Sequence, residues 1–422
     1  MIQNNNFFKI TQQLVIYRGV CEDAVLKRLF VLLSGNSINN RLVSKFLSKL
    51  ITKSEQLGLS GDILRKYILY LLLTDENPYS LACEFGNLNN SSTLQKLSSY
   101  EIELIFDALE KLDFSTQIPA YGKILPYKPN KPHSDTFIDL CIAASTPSQL
   151  MQTLTRSYSE NGIGKLYSNK MFTFENNKLK PAVNPGFVSL GDIIFYERQK
   201  QLICKNIEAF LNNNAASNML LTGPKGTGKS SCIRALVEKY AQQGLLLVSV
   251  PREQYSKLPL LIKKLGKRGK KFIVMLDDLS FDLSHENAGN DYKYLKSIME
   301  GSVEGRPPNV LFAATSNRRA LVTENWSDKQ GTTIEDGEIH ASDAINEKQS
   351  LKDRFGLLIS FPKPSPAEFC EIVKQLLKKQ HIEVSDEQIK QKSAEWELGQ
   401  SGLSGRAARN LADMIQRSGI CN

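Results

Sequence analysis

The sequence predicts an α/β fold, with a parallel-sheet core, a small helical domain after it and a mainly helical region before it. Three observations carry this. From Ala215 to Pro362, short apolar runs that are continuous rather than alternating are separated by helical segments, as strands covered on both faces require. After Pro362 the pattern is helical alone, from about Pro366 to Arg417. Over residues 1–116 it is helical as well, as in VCEDAVLKRLFVLLSG, where Val25, Leu26, Leu29 and Leu32 share one side and Gly35 is a stop signal.

The elements follow in order. QIPAYGKILPYKPNKPHSD holds four prolines, each restricting the residue before it, and opens a linker region, 117–188. That region carries a helix from about Thr136 to Ser157, then a β-hairpin around ENN in MFTFENNKLK. The α/β core is expected over 189–362. Its strands are NMLLTG, LLLVSVP, KFIVMLDD, NVLFAATSN and GLLISFP, and its helices are KSSCIRALVEKYAQQG, SKLPLLIKKLG and DYKYLKSIMEGSVEG. The helical C-terminal domain takes 363–422. No internal repeat is visible.

Composition sets the limits. The chain has 422 residues, enough for two to three domains, and a formal net charge of +9. The positive excess is spread over both halves with no basic tail, which does not by itself make a nucleic-acid binder. Seven cysteines stand singly, with no CxxC pair, as reduced thiols do. The longest apolar runs, such as YILYLLL, fall far short of the roughly 20 residues that span a bilayer, and the N-terminus lacks a signal-peptide pattern. A cytoplasmic protein with no membrane partner is expected.

The chemistry sits in LLTGPKGTGKSSCIRAL. Gly223, Pro224, Lys225, Gly226, Thr227, Gly228, Lys229 and Ser230 fit G-x-x-x-x-G-K-[ST] in full, between a strand and a helix. Glycines let the backbone curl so that successive N–H groups face phosphates, and the helix that starts near Lys229 adds its positive end, with Ser231 in the same turn. Lys229 is expected on the β- and γ-phosphates of ATP and Ser230 on Mg²⁺. Asp277 ends an apolar strand where a parallel sheet opens its ligand crevice, and is expected to hold Mg²⁺ through water. Asp278 is expected to orient the attacking water as general base, with Asp282 an alternative. Asn317, at the end of the fourth core strand, would fix that water near the γ-phosphate. Arg354, before the fifth strand, and Arg406, near the start of a C-terminal helix, would supply positive charge to the transferring phosphoryl group. Arg318 and Arg319 compete with Arg354 for that role, and Arg409 follows Arg406 by one turn.

The phosphate loop, LDD, TSN, DRFG and GR, in this order, resemble an AAA+ ATPase with its helical lid. More narrowly the chain resembles bacterial AAA+ proteins of domain-of-unknown-function family 815. The likeness runs from about Asp75 to Met414 and rests on DENPYSLACE, GDIIFYERQKQLICKNIEAFL, LLTGPKGTGKSS, LDDLSFD, VLFAATSNRRAL, EIHASDAINEKQSLKDRFGL and SGLSGRAARNL. It implies a P-loop NTPase core of AAA+ type, and an Asp rather than a Glu at position 278. It further implies Asn317 as first sensor, Arg354 as an arginine finger reaching a neighbour's ATP, and Arg406 as second sensor. The chain departs in having Phe195 where AAA+ proteins often have Gly at the adenine-side loop. Self-association into a ring or open spiral, a hexamer by resemblance, is implied.

The leading expectation is an ATPase that remodels a protein partner held by the helical N-terminal region. VPREQYSKLPLL lacks the aromatic–aliphatic–glycine loop of threading unfoldases, Tyr255 being its one aromatic. A nucleic-acid-linked loader or branch-remodelling motor is the alternative; its best feature is KKLGKRGKK, Lys263–Lys271, with six positive residues in nine positions, read here as a solvated helix end and loop. A nucleotide-controlled scaffold with little turnover is the third class. Four scattered histidines show no metal-ligand spacing, no G-x-S-x-G elbow is present, and the acidic Thr332–Glu347 reads as a polar loop.

Overall fold

A computed structural model describes residues 10, 12–34, 39–88, 92–111, 114–182, 186, 188–279, 295, 299, 306–317, 354–399 and 402–417. Asp282, Arg318, Arg319 and the acidic 332–347 segment lie outside these, as does most of the helix expected over 291–305. The chain divides into two compact units, residues 1–169 with Arg268–Lys270, and residues 170–267 with 271–422.

In the first unit the longer helices are α1 (Ala24–Ser34), α2 (Asn40–Leu57), α3 (Ile63–Thr74), α4 (Pro78–Phe85), α5 (Thr93–Glu110), α6 (Thr136–Ala143) and α7 (Pro147–Asn161). Side chains at their starts take up the free N–H groups: Asn39 caps Arg41, Asp62 caps Arg65, and Asn77 and Ser80 cap each other reciprocally. One core runs from Ile10 to Tyr167. The division expected at 116/117 is therefore not a boundary of the fold. The proline-rich stretch is a surface connection, and α6 and α7 bury Ile138, Cys141, Leu150 and Leu154 in the same core as α3.

Arg268–Lys270 belongs to this unit through a buried ion pair. The Glu84 side chain is fully buried and accepts from Arg268 Nε at 2.9 Å and Nη2 at 2.7 Å, and from the backbone N–H groups of Gly269 at 2.9 Å and Ile163 at 3.1 Å. Arg268 also reaches Glu76 at 3.2 Å, and Lys270, itself buried, donates to the carbonyls of Ser159 and Glu160. A side chain on Gly269 would collide with the backbone carbonyl of Glu84. The expected solvated loop is at these residues an internal staple, because a carboxylate far away in sequence sits opposite it.

The second unit carries a seven-stranded sheet of β1 (Met171–Glu175), β2 (Lys178–Pro181), β3 (Met219–Thr222), β4 (Leu245–Ser249), β5 (Lys271–Leu276), β6 (Val310–Ser316) and β7 (Leu357–Ser360). Its order is β2-β1-β4-β5-β6-β3-β7, and among the described residues only the β1–β2 pair of this sheet is antiparallel. All five expected core strands form. The expected hairpin forms too, turning at Asn176 and Asn177 with φ of 49° and 60°, the left-handed pair of a two-residue hairpin loop. It extends the core sheet instead of lying in a linker: β1 pairs with β4, and Phe172 and Phe174 bury one face. The core thus begins near 170, not at 189.

Among the described residues, three helices pack on the sheet: α8 (Glu197–Leu211), α9 (Lys229–Tyr240) and α10 (Leu258–Gly266). The helical lid is α11 (Pro366–Lys379), α12 (Asp386–Gly399) and α13 (Gly405–Arg417), with its own core around Phe369, Val373, Leu411 and Ile415. Among the described residues no helix is long and apolar enough to cross a membrane.

Candidate functional site

The strand order decides what meets at the carboxyl ends. Strand β6 lies between β3, which leads into the glycine loop, and β5, which leads into the two aspartates. The end of β6 therefore sits between loop and carboxylates. One cleft of about 500 Å³ is lined by Lys225, Gly226, Thr227, Gly228, Lys229, Ser230 and Ser231 from the loop, and by Asp277, Asp278, Thr315 and Asn317 from the strand ends. Gly405, Arg406 and Arg409 of the lid complete it.

The loop needs its glycines. A Cβ on Gly223 would collide with the Phe361 carbonyl, and Gly226, at φ 82°, would push into Ser404 and Arg406. Gly228, at φ 91°, is the N-cap of α9 and has no side chain to bond the first N–H groups of that helix. Those donors have no side-chain cap, and with the positive end of the helix they could take an anion. Gly223 and Pro224 stand behind the cleft wall and act through their carbonyls. Lys229 is buried and donates to Gly223 O and Pro224 O, both at 2.7 Å, and to Asn317 Oδ1 at 3.1 Å. Burial lowers its pKa, while Asp277 and Asp278 pull it back up. It has no ion pair with a described residue, so its charge rests on neutral oxygens.

Next to it, Ser230 Oγ donates to Asp277 Oδ1 at 2.5 Å, and Arg234 approaches Asp277 at 3.9 Å. Asp278 turns left-handed, at φ 54°, and its carboxylate accepts from the Asn317 amide. Thr315 was not singled out by sequence, yet it bonds both aspartates: its hydroxyl donates to Asp277 at 2.6 Å and accepts from the Asp278 N–H at 3.0 Å. Thr315 precedes Asn317 by two residues and so shares its side of the strand, but that spacing alone does not set it apart from any β-forming threonine.

Ser230 and Asp277 are hard oxygen donors side by side, and they fit Mg²⁺, which takes one or two protein oxygens and fills its other positions with water and phosphate oxygens. No cluster of three or more His, Cys, Asp or Glu residues suited to a metal occurs among the described residues, and Mg²⁺ of this kind needs none.

The lid leans directly on the loop, with the Arg406 backbone N–H donating to Gly226 O at 3.3 Å. From the stretch before α8, Val188, Asp192, Ile193, Ile194 and Tyr196 also line the cleft, and the isoleucines and tyrosine join Ile372 and Leu376 as the apolar lining. Phe195, at φ 65°, and Tyr196, at φ 64°, both take the conformation that favours glycine. The Phe195 side chain packs against the lid core, and Tyr196 donates to Pro362 O at 2.7 Å. Phe195 thus stays out of the cleft while both its neighbours line it. Arg354 is exposed on a turn before β7 and does not line the cleft of its own chain.

The parallel sheet, the loop, the paired strand-end carboxylates and the helical lid define a P-loop NTPase fold of the AAA+ type. Residues 167–418 match the family described as Protein of unknown function (DUF815), and the chain belongs to that family. It is similar to the replication factor C large subunit of Methanococcus maripaludis, at 22% identity over 173 residues, 40% of this chain and 34% of that protein. Among solved structures it is similar to the Thermotoga maritima RuvB Holliday junction branch migration motor, at 16% identity over 54% of this chain and 64% of that one, with TM-score 0.37. It is also similar to PCH-2 of C. elegans, at 18% identity over 55% and 66%, with TM-score 0.38. The chain thus spans about a third of the curated relative and somewhat under two thirds of the RuvB chain.

Proposed function

We propose that the chain is a Mg²⁺-dependent ATPase that self-associates and uses the lid to pass the state of the nucleotide to a protein partner. The observation that carries this is the gathering of Lys229, Ser230, Asp277, Asp278, Asn317 and the lid arginine Arg406 around one cleft. Lys229 and the N–H groups at the start of α9 hold phosphate oxygens. Ser230 and Asp277 would hold Mg²⁺, which would supply positive charge to the phosphate oxygens. Asp278, aimed by the Asn317 amide, takes a proton from the attacking water. Arg406 stands on the lid helix whose N-terminus touches Gly226, so a change at the γ-phosphate reaches the lid through one residue. Arg354, exposed and off its own cleft, is the candidate finger for a neighbour's site.

Against a nucleic-acid motor stands the use of the basic segment. Arg268 and Lys270 are taken up inside the first unit, Lys264 donates to Asn177 O and Lys271 to Asn213. The test is phosphate release against protein concentration for wild type, Lys229→Ala and Arg354→Ala. Turnover that rises with concentration and is lost in both variants supports the reading. Turnover independent of concentration and normal in Arg354→Ala removes the shared site, and turnover equal to that of Lys229→Ala leaves a nucleotide-binding scaffold.

A further inference from the structure

The two aspartates at the end of β5 need different geometries, and one side chain, that of Thr315, bonds to both. Asp277 follows the strand directly, whereas Asp278 leaves it in a left-handed turn at φ 54°, a conformation a non-glycine residue holds only when its neighbours enforce it. Three bonds do so. The Asp278 N–H donates to Thr315 Oγ1 at 3.0 Å, the Leu279 N–H donates to Thr315 O at 2.7 Å, and the Asp278 carboxylate meets the Asn317 amide. Two of the three end on Thr315.

The protons in this arrangement are fixed by chemistry. A backbone N–H only donates, so Thr315 Oγ1 accepts from Asp278 and has its single hydrogen free for Asp277 Oδ1, 2.6 Å away. The same Oδ1 accepts from Ser230 Oγ at 2.5 Å. A chain of donors therefore runs from the Asp278 backbone through Thr315 to Asp277, where it meets the hydroxyl of the phosphate loop. Thr315 is almost fully buried, so water does not replace the hydroxyl. As a β-branched strand residue it would pack as well if it were valine; the hydroxyl is what packing does not explain.

We propose that Thr315 is a positioning residue that holds the metal-side carboxylate of Asp277 and the water-side carboxylate of Asp278 in one register, so that Mg²⁺ binding and water activation depend on the same hydroxyl. This rests on the reading of the cleft as a Mg²⁺–ATP site. Thr315→Val removes the hydroxyl at nearly constant shape, and Thr315→Ser keeps it. The experiment follows a fluorescent ATP analogue with EDTA and with Mg²⁺, phosphate release against Mg²⁺ concentration, and the thermal midpoint of each variant.

Thr315→Val is expected to bind nucleotide without Mg²⁺ within about twofold of wild type, to need several-fold more Mg²⁺ for half-maximal turnover, and to lose about 10–100-fold in kcat. Thr315→Ser is expected to recover both to within about threefold. Wild-type Mg²⁺ requirement and kcat in Thr315→Val, whatever its thermal midpoint, would overturn the proposal, as would equal losses in the valine and serine variants. If the wild type itself shows no turnover that depends on Lys229, the ATPase reading fails separately. Nucleotide binding then decides for Thr315. Tightening by Mg²⁺ in wild type but not in the valine variant supports the proposal, and no difference between them sinks it.

Discussion

The phosphate loop and Lys263–Lys271 both set lysines among glycines, yet their buried cations meet different partners. Lys229 rests on two loop carbonyls and an amide oxygen, and no carboxylate of a described residue pairs with it. Arg268 lies against Glu84, whose side chain is fully buried, and also reaches Glu76. Burial works against the Arg268 charge, but the two carboxylates more than offset it and its pKa is raised. Burial lowers the pKa of Lys229, and Asp277 and Asp278, which do not pair with it directly, offset that only in part. A buried cation with neutral partners is suited to an incoming anion, while one with a carboxylate partner is already spent on the fold. Charge density in the sequence did not separate the two; the partners do.

The largest effect on stability is expected at the staple. Arg268→Ala leaves the Glu84 carboxylate buried and unpaired, which costs about 3–5 kcal/mol. The thermal midpoint of the first unit should fall by roughly 10 °C at about 2–4 °C per kcal/mol. An unchanged melting curve would show that Glu84 finds water instead. Gly269→Ala should cost somewhat less, about 1–3 kcal/mol, through the clash with the Glu84 carbonyl, and denaturant unfolding would show it as a lower midpoint at unchanged slope.

In the glycine loop, a lysine with a lowered pKa loses its proton at lower pH than an exposed one. Nucleotide affinity should therefore weaken with rising pH before an ordinary lysine, at about 10.4, would titrate. Lys229→Arg should flatten that alkaline limb, since a guanidinium stays charged. An identical limb in both proteins would assign it to another group.

The smallest effect is expected at Asp192, which joins the cleft wall to the lid. Lys379 at 2.7 Å, followed by the Ser189 N–H, holds its carboxyl down to about 2. A carboxyl depressed in the folded state stabilises above its unfolded value, near 3.9, and that stability is lost as pH falls toward 2. Both partners are more than a third exposed, so Asp192→Asn should cost less than about 1 kcal/mol at neutral pH. The gap between variant and wild type should close as pH drops below about 4. A gap that persists there would mean the loss is not electrostatic.

Much of this was legible in the sequence because it is written locally. Continuous apolar runs marked β3 to β7, and the glycine spacing marked the turn at Gly223 to Gly228. A strand end marked Asn317. Thr315 was not legible, because a threonine inside a strand is an ordinary β-former until the register shows an aspartate on each side of its hydroxyl. The membership of β1 in the core sheet was hidden for a related reason: its partner, β4, lies about seventy residues on, and parallel pairing leaves no short-range trace. The staple at Arg268 was misread as solvated because its carboxylate comes from α4, 184 residues away.

The measurement that tests the contrast most directly places Lys229→Ala and Arg268→Ala side by side in phosphate release and thermal melting, assayed below the lower midpoint. Lys229→Ala is expected to lose turnover by about 100-fold or more with little change in melting. Arg268→Ala is expected to melt early yet to turn over within about threefold of wild type while folded. Turnover that survives in Lys229→Ala and disappears in folded Arg268→Ala would contradict that contrast, and would move the chemistry away from the glycine loop.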